Sequence, residues 1–219
     1  MASVSSALGL GVRDFPVGRQ LLVGFGIGTV GIAVTTGLLR ATDHAKITGA
    51  DLDLRRLGLG LLVFGVSAVV QEILFRSLLL GGVRRLTGSA GVALVASSAL
   101  FGVMHLAFSD DATAISVLSN AMGGLMYGIA FIRTGRIWLG VGLHFAWNLV
   151  QGTLLGFVVS GNADYSDALM HVMTWGRTWL SGGDYGPEGS VFSLVGRAAV
   201  IGLLVIPAVA GRAGARRRR

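Results

Sequence analysis

The sequence predicts an all-α fold, a polytopic bundle of about six transmembrane spans with a short interfacial helix. Three observations predict it. Of 219 residues, 53% are hydrophobic and only 13% are charged, with a mean hydropathy of +0.71. A water-exposed domain of this length needs far more charge to cover its surface. Apolar stretches long enough to cross a hydrocarbon core of ~30 Å recur along the chain. Finally, the connections between them are short, except for one at about 161–190.

The first 16 residues lack the ordered basic start, apolar run and small-residue cleavage site of a secretory leader, so no cleavable signal peptide is expected. The first span, about 17–39, carries Gly24 and Gly28 four residues apart, a spacing that lets helices approach closely. The second, about 57–82, contains the stretch VVQEILFRS, which sets Glu72 and Arg76 among apolar residues. The third and fourth are expected at about 90–108 and 113–132, and the fifth at about 137–160. The long connection follows, where DALMHVMTWGRTWL brings Leu169, Val172, Met173, Leu180 and two tryptophans together behind Ser166 and Asp167. That pattern predicts an amphipathic helix of about 13 residues lying in the interface, capped by one of those two residues and too short to cross. The sixth span is expected at about 191–210. No linker or internal repeat divides the chain, so residues 1–219 are read as one membrane domain.

Charge fixes the expected orientation. Alternating six spans puts eleven basic residues on the side of the termini, among them Arg19, Arg84, Arg85, Arg133, Arg136 and the tail, against five on the other side. By the positive-inside rule, both termini are expected in the cytoplasm of a cell membrane crossed several times. The net charge of +7 and the four-arginine tail then belong beside anionic lipid, and no nucleic-acid partner is expected. Absence of cysteine excludes disulfides, thiolate metal sites and thiol nucleophiles.

The strongly polar residues left inside the spans are Gln71, Glu72, Arg76, His105, Asn120, His144, Asn148 and Arg197. Each ionisable group there costs ~2.5–3.5 kcal/mol on insertion scales, so each is a candidate for function. Glu72 and Arg76 stand i and i+4 and can pair on one helix face. His144 and Asn148 share that spacing, as do Phe101 and His105, where the ring supplies an apolar wall. A carboxylate, two imidazoles and a carboxamide can activate water and hold an oxyanion, or ligate a divalent metal. Taken singly, each has a structural reading: an ion pair between helices, a hydrogen-bonded packing histidine, an amide bridge. Arg197, near the outer end of its span, is expected to snorkel outward, and His44 and His171 read as incidental.

In order, the pieces resemble the CAAX-protease and bacteriocin-processing (CPBP, Abi/Rce1-like) family of intramembrane proteases. That family carries E-E-x-x-x-R, then F-x-x-x-H, then H-x-x-x-N or H-x-x-x-D on successive helices. This chain reads Gln71-Glu72-x-x-Phe75-Arg76, Phe101-x-x-x-His105 and His144-x-x-x-Asn148, within about residues 57–160. The resemblance implies an endopeptidase in which a glutamate and His105 activate water while His144 and Asn148 hold the oxyanion, with Gln71, Arg76 and Phe101 in support. Its substrate would be a peptide or protein at the membrane, and the cavity would open toward the cytoplasm.

One departure is chemical. The family's first glutamate, held to activate the water, is Gln71 here, and an amide takes no proton at neutral pH. Either Glu72 is the base, or the chain is a weak or non-catalytic member that binds or scaffolds at the membrane. Glu72, His105 and His144 are the donors available if a divalent metal such as zinc takes part. No H-E-x-x-H is present, and the resemblance implies no obligatory metal. Counted from the arginine-rich ends of the expected spans, Glu72 lies ~15 Å deep, His144 ~10 Å and His105 ~22 Å, which leaves His105 about two turns too deep.

Overall fold

The fold is taken from a computed structural model that describes the backbone of residues 16–216 and side chains as far as Val205. The N-terminal 15 residues, on which the signal-peptide expectation rests, and the end of the arginine tail lie outside the described residues.

Helix α1 covers Val17–Ala41. Strand β1, Ala45–Ala50, follows a tight turn in which Asp43 takes a positive φ of 58°. Asp53 caps α2 (Leu54–Glu72) by accepting a hydrogen bond from Arg56 N at 3.0 Å. The same helical run continues as a π-helix over Ile73–Leu80 and as α3, Gly81–Thr87. Helix α4 spans Ala90–Met104 and ends in a 3-10 turn at His105–Ala107. A reciprocal capping box between Thr113 and Ser116 starts α5, Ala114–Thr134. Helix α6, Trp138–Asn148, also runs into a π-helix, Leu149–Leu154. Strand β2, Met170–Thr174, the single-turn α7, Thr178–Ser181, and α8, Val191–Arg216, complete the chain.

Helices therefore occupy all six expected positions, and four of these runs, Val17–Ala41, Leu54–Thr87, Ala90–Ala107 and Ala114–Thr134, are long and apolar enough to cross a membrane. Exposed leucines and valines such as Leu22, Leu62, Val66 and Val95 line their outer faces, as a bilayer requires of a bundle that buries its polar groups inward. The centre is packed by Ile32, Phe101, Met126, Tyr127, Leu143, Trp147 and Val200, drawn from α1, α4, α5, α6 and α8. Glycines permit the close crossings. A side chain at Gly28 would stand 2.6 Å from the Leu143 carbonyl of α6, so the Gly24/Gly28 seam is the α1–α6 contact.

The long connection differs from expectation. In place of an amphipathic helix, residues 170–174 form β2, paired antiparallel with β1 from Ala45↔Thr174 to Ala50↔Met170. Asp167 is no helix cap: it turns the chain at a φ of 71°, and Gly176, at 98°, stops the strand before α7. The partner strand lies over a hundred residues away, so local helical periodicity competed with a pairing that the sequence window does not contain. The two tryptophans remain partly exposed beside this sheet.

Candidate active site

Glu72 sits at the end of α2, where the π-helix begins, with no exposed surface. Gly140 of α6 makes room for it, since a Cβ there would lie 2.9 Å from Glu72 Oε2. Arg76 Nε donates to Glu72 Oε2 at 3.1 Å, and both side chains are fully buried. Its guanidinium also lies 5.2 Å from the Phe101 ring centroid and 5.7 Å from that of Tyr127, so aromatic faces take the remaining positive charge. The second carboxylate oxygen, Oε1, meets His144 Nδ1 at 3.2 Å.

His144 is held on its flat side as well. Tyr127 stacks on it with ring centroids 4.6 Å apart and planes 13° from parallel, and Phe101 meets its edge at 5.8 Å. Phe101 joins the two histidines, because its ring lies 5.0 Å from that of His105 and its carbonyl oxygen 2.7 Å from His105 Nδ1. In both histidines Nδ1 is thus engaged by the protein, which leaves Nε2 as the ring atom available to a bound group.

A cavity of about 460 Å³ opens among these helices, lined by Gln71, Phe101, His105, Asn120, His144 and Asn148. Glu72 is not among its lining residues. Adjacent positions on a helix face about 100° apart, and here Gln71 takes the cavity side, donating to Ser67 Oγ at 2.6 Å, while Glu72 takes the core side.

The far wall joins Asn120 and Arg197, which the sequence showed among the polar residues of the spans without a catalytic role, to Glu188 and Ser160, which sequence reasoning did not select. Glu188, buried, accepts from Arg197 Nη2 at 2.7 Å, from Ser160 N at 2.9 Å and from Ser160 Oγ at 2.7 Å. Arg197 also donates to Asn120 Oδ1 at 3.2 Å and lies 4.3 Å over the Trp147 ring, and Asn120 Nδ2 donates to the Tyr185 hydroxyl at 2.7 Å. Arg197 does not snorkel: it is 1% exposed and locks the 183–190 segment onto α5 and α8. The signal that could have found it was a lone acid, Glu188, nine residues before a lone base on the same segment. Tyr127 carried no sequence signal, since an aromatic in a span is ordinarily core.

Two expectations about position change. Because the second helical run extends to Thr87, Glu72 stands ~22 Å from its arginine-rich end, level with His105 counted from Ala90; His144 is only ~9 Å from Trp138, and its contact with Glu72 shows that the helical runs do not begin at one level. The cavity also reaches Ser160, Asn162 and Glu188, which belong to the connection at the end of the bundle remote from Arg84, Arg85, Arg133 and Arg136. Its lining therefore extends toward the end away from the arginine-rich turns, whereas the sequence reading expects an opening on the side of the termini.

The donor set does not suit a metal ion. Among the described residues no three His, Asp or Glu side chains converge as ligands, and both oxygens of Glu72 are taken by Arg76 and His144.

The chain is thus a helical bundle, with several runs apolar enough to cross a membrane, that turns two histidines, each held through Nδ1, into an internal cavity. Residues 54–150 match the family described as type II CAAX prenyl endopeptidase Rce1-like. It is similar to the sporulation-killing factor biosynthesis protein SkfC of Bacillus subtilis (strain 168), 28% identical over 141 residues, which cover 60% of this chain and 28% of that protein. The chain thus matches well under a third of that curated relative's length. No solved structure matches it.

Proposed function

We propose that this chain is an intramembrane endopeptidase in which His144, oriented by Glu72, is the general base. The observation that carries the reading is the Glu72–His144 contact at 3.2 Å, made on the side of the ring away from the cavity that His144 lines. A buried carboxylate on Nδ1 fixes the tautomer and stabilises the imidazolium that forms when Nε2 takes a proton, as in hydrolases that use a histidine–carboxylate pair. Arg76 neutralises the rest of the carboxylate's charge, so no bare ion is left in the core. Glu72 is then a positioning residue.

The chemistry follows. Water in the cavity loses a proton to His144 Nε2 and adds to the peptide carbonyl carbon. The oxygen that becomes negative is held by the amide of Asn148 on the cavity wall, while His105, whose Nδ1–H is donated to the Phe101 carbonyl oxygen, presents a bare Nε2 that accepts from the water. Collapse of the tetrahedral species breaks the C–N bond, and the imidazolium returns its proton to the leaving amine. The substrate would be a peptide or protein segment at the membrane, in line with the prenyl endopeptidases of the family. The protein would lie in a cell membrane with both termini cytoplasmic, and no nucleic acid would take part.

A second reading, a member that binds or scaffolds and does not cut, is favoured by one observation: the amide of Gln71 occupies the cavity wall where the family resemblance calls for a carboxylate. One experiment separates the two. Purified protein in liposomes is given membrane-proximal peptides, prenylated and plain, and cleavage is compared for wild type, Glu72→Gln, His105→Ala, His144→Ala and Gln71→Glu. The proposal expects wild-type cleavage that falls on the order of 10²–10⁴-fold in His144→Ala, the usual range for a lost base. Cleavage indifferent to both histidines sinks it. Silence in the wild type with activity in Gln71→Glu establishes the binding reading.

A further inference from the structure

At the opposite end of the bundle a second cavity, of about 590 Å³, lies between the start of α1, the α5–α6 turn and the last described turns of α8. Three arginines reach it from separate elements: Arg19 from α1, Arg133 from the last turn of α5, and Arg136 from the turn that follows. Convergent guanidinium groups are a phosphate-binding chemistry, because their planar forks match the oxygens of a phosphodiester. Basic pockets between membrane helices bind lipid head groups for this reason.

The remainder of the lining says what kind of phosphate. Val23, Ile27, Leu139 and Leu203 continue the cavity toward mid-bundle, and Val23 and Leu203 are 48% and 45% exposed on the flank that a bilayer would cover. An inorganic anion has no use for that wall, whereas an acyl chain buries it. Gln20 also lines the cavity, is 6% exposed, and its Oε1 is buried with no hydrogen-bond donor. An acceptor left so is costly, and the phosphodiester of a lipid has no donor to give it. A hydroxylated head group does.

We propose that this cavity is a site for an anionic phospholipid with a hydroxyl-bearing head group, of the phosphatidylglycerol type. Its phosphodiester lies among Arg19, Arg133 and Arg136, a head-group hydroxyl donates to Gln20 Oε1, and one acyl chain runs along Val23 and Ile27. The site involves none of the cavity residues above, so it stands whether or not the chain is a protease. By tying α1 to α5, α6 and α8 it would also make the lipid a structural ligand of the arginine-rich end.

The test is retention of lipid by the full chain, measured by native mass spectrometry after incubation with phosphatidylglycerol, phosphatidic acid or phosphatidylcholine. Wild type is expected to hold phosphatidylglycerol about tenfold better than phosphatidylcholine, with phosphatidic acid between them. Arg19→Gln/Arg133→Gln/Arg136→Gln should remove that preference, while Arg84→Gln/Arg85→Gln, at the same end but off the cavity, should keep it. Gln20→Leu, which leaves all three arginines, should bring phosphatidylglycerol down to the level of phosphatidic acid, a readout that remains if the triple variant fails to fold. Equal loss in the two arginine variants would mean only general attraction of anionic lipid and would overturn the site. So would displacement of the lipid by excess inorganic phosphate, which would identify a soluble anion as the ligand, or equal retention of all three lipids by wild type.

Discussion

At the scale of single residues, the molecule separates two neighbours that a sequence motif presents together. Gln71 and Glu72 are adjacent, yet one faces the cavity and the other faces Arg76 and His144 in the core. The consequence for Arg76 can be measured. Replacing it by leucine leaves the Glu72 carboxylate buried with only a histidine beside it, and breaking a buried pair in this way costs ~3–5 kcal/mol. Arg76→Leu should therefore lower the thermal midpoint in detergent markedly. Glu72→Gln/Arg76→Leu, which removes both charges, should recover most of the loss. Failure of the double variant to recover would mean that Arg76 is held chiefly by its contacts with the Phe101 and Tyr127 rings and not by the ion pair. The spacing of Glu72 and Arg76 was legible in the sequence. What each faces was not, because the choice is made by Gly140 and Tyr127 on other helices.

At the scale of elements, the π-helices stand immediately after Glu72 and Asn148, so two of the three motif-bearing helices change pitch at the site. Such widened turns are common where a helix must aim side chains at a function, and no periodicity in the sequence announces them. The β1–β2 pair was likewise hidden, but it explains His171. Its Nε2 meets Asp51, next to β1, and its Nδ1 meets Asp167 at 2.6 Å, while Arg56 at the start of α2 reaches Asp167 at 3.6 Å and Asp53 at 3.5 Å. Hydrogen bonds that His171 donates to the Asp51 carboxylate first, and to Asp167 second, push its pKa above the ordinary 6.5. A raised folded-state value means that the imidazolium's contribution is complete below pH ~6.5, where the unfolded chain is also protonated, and is lost as pH rises through the folded value. Thermal stability should accordingly decline from mildly acidic toward alkaline pH, and His171→Gln should flatten that decline. An unchanged slope in the variant would assign the pH dependence to other groups. The residue that looked incidental in the sequence is a bridge between two strands because its partners lie 120 positions away and beside it at once.

At the scale of the whole molecule, the number and order of apolar runs made the bundle legible, and the positions of the arginines gave it two unlike ends. The sequence carries no information on which end the cavity faces, since that depends on how Glu188 and Arg197 fold the 155–190 connection against the helices. The structure puts cavity and arginines at opposite ends, so the positive-inside rule makes a specific demand: arginines in the cytoplasm, cavity mouth outside. The chain has no cysteine, so one introduced thiol reports one place. Asp110→Cys, in the exposed turn between α4 and α5 beside the cavity, should react with a membrane-impermeant maleimide in intact spheroplasts. Thr87→Cys, exposed at the arginine-rich end, should react only after permeabilisation. The reverse pattern would place the cavity mouth in the cytoplasm, where lipidated C-termini of cytoplasmic proteins could enter it, and would mean that eleven basic residues against five had been outweighed by some other determinant of topology. With the expected pattern, the endopeptidase proposed above would meet only segments that reach the outer face, such as exported peptides or the outer ends of other membrane helices.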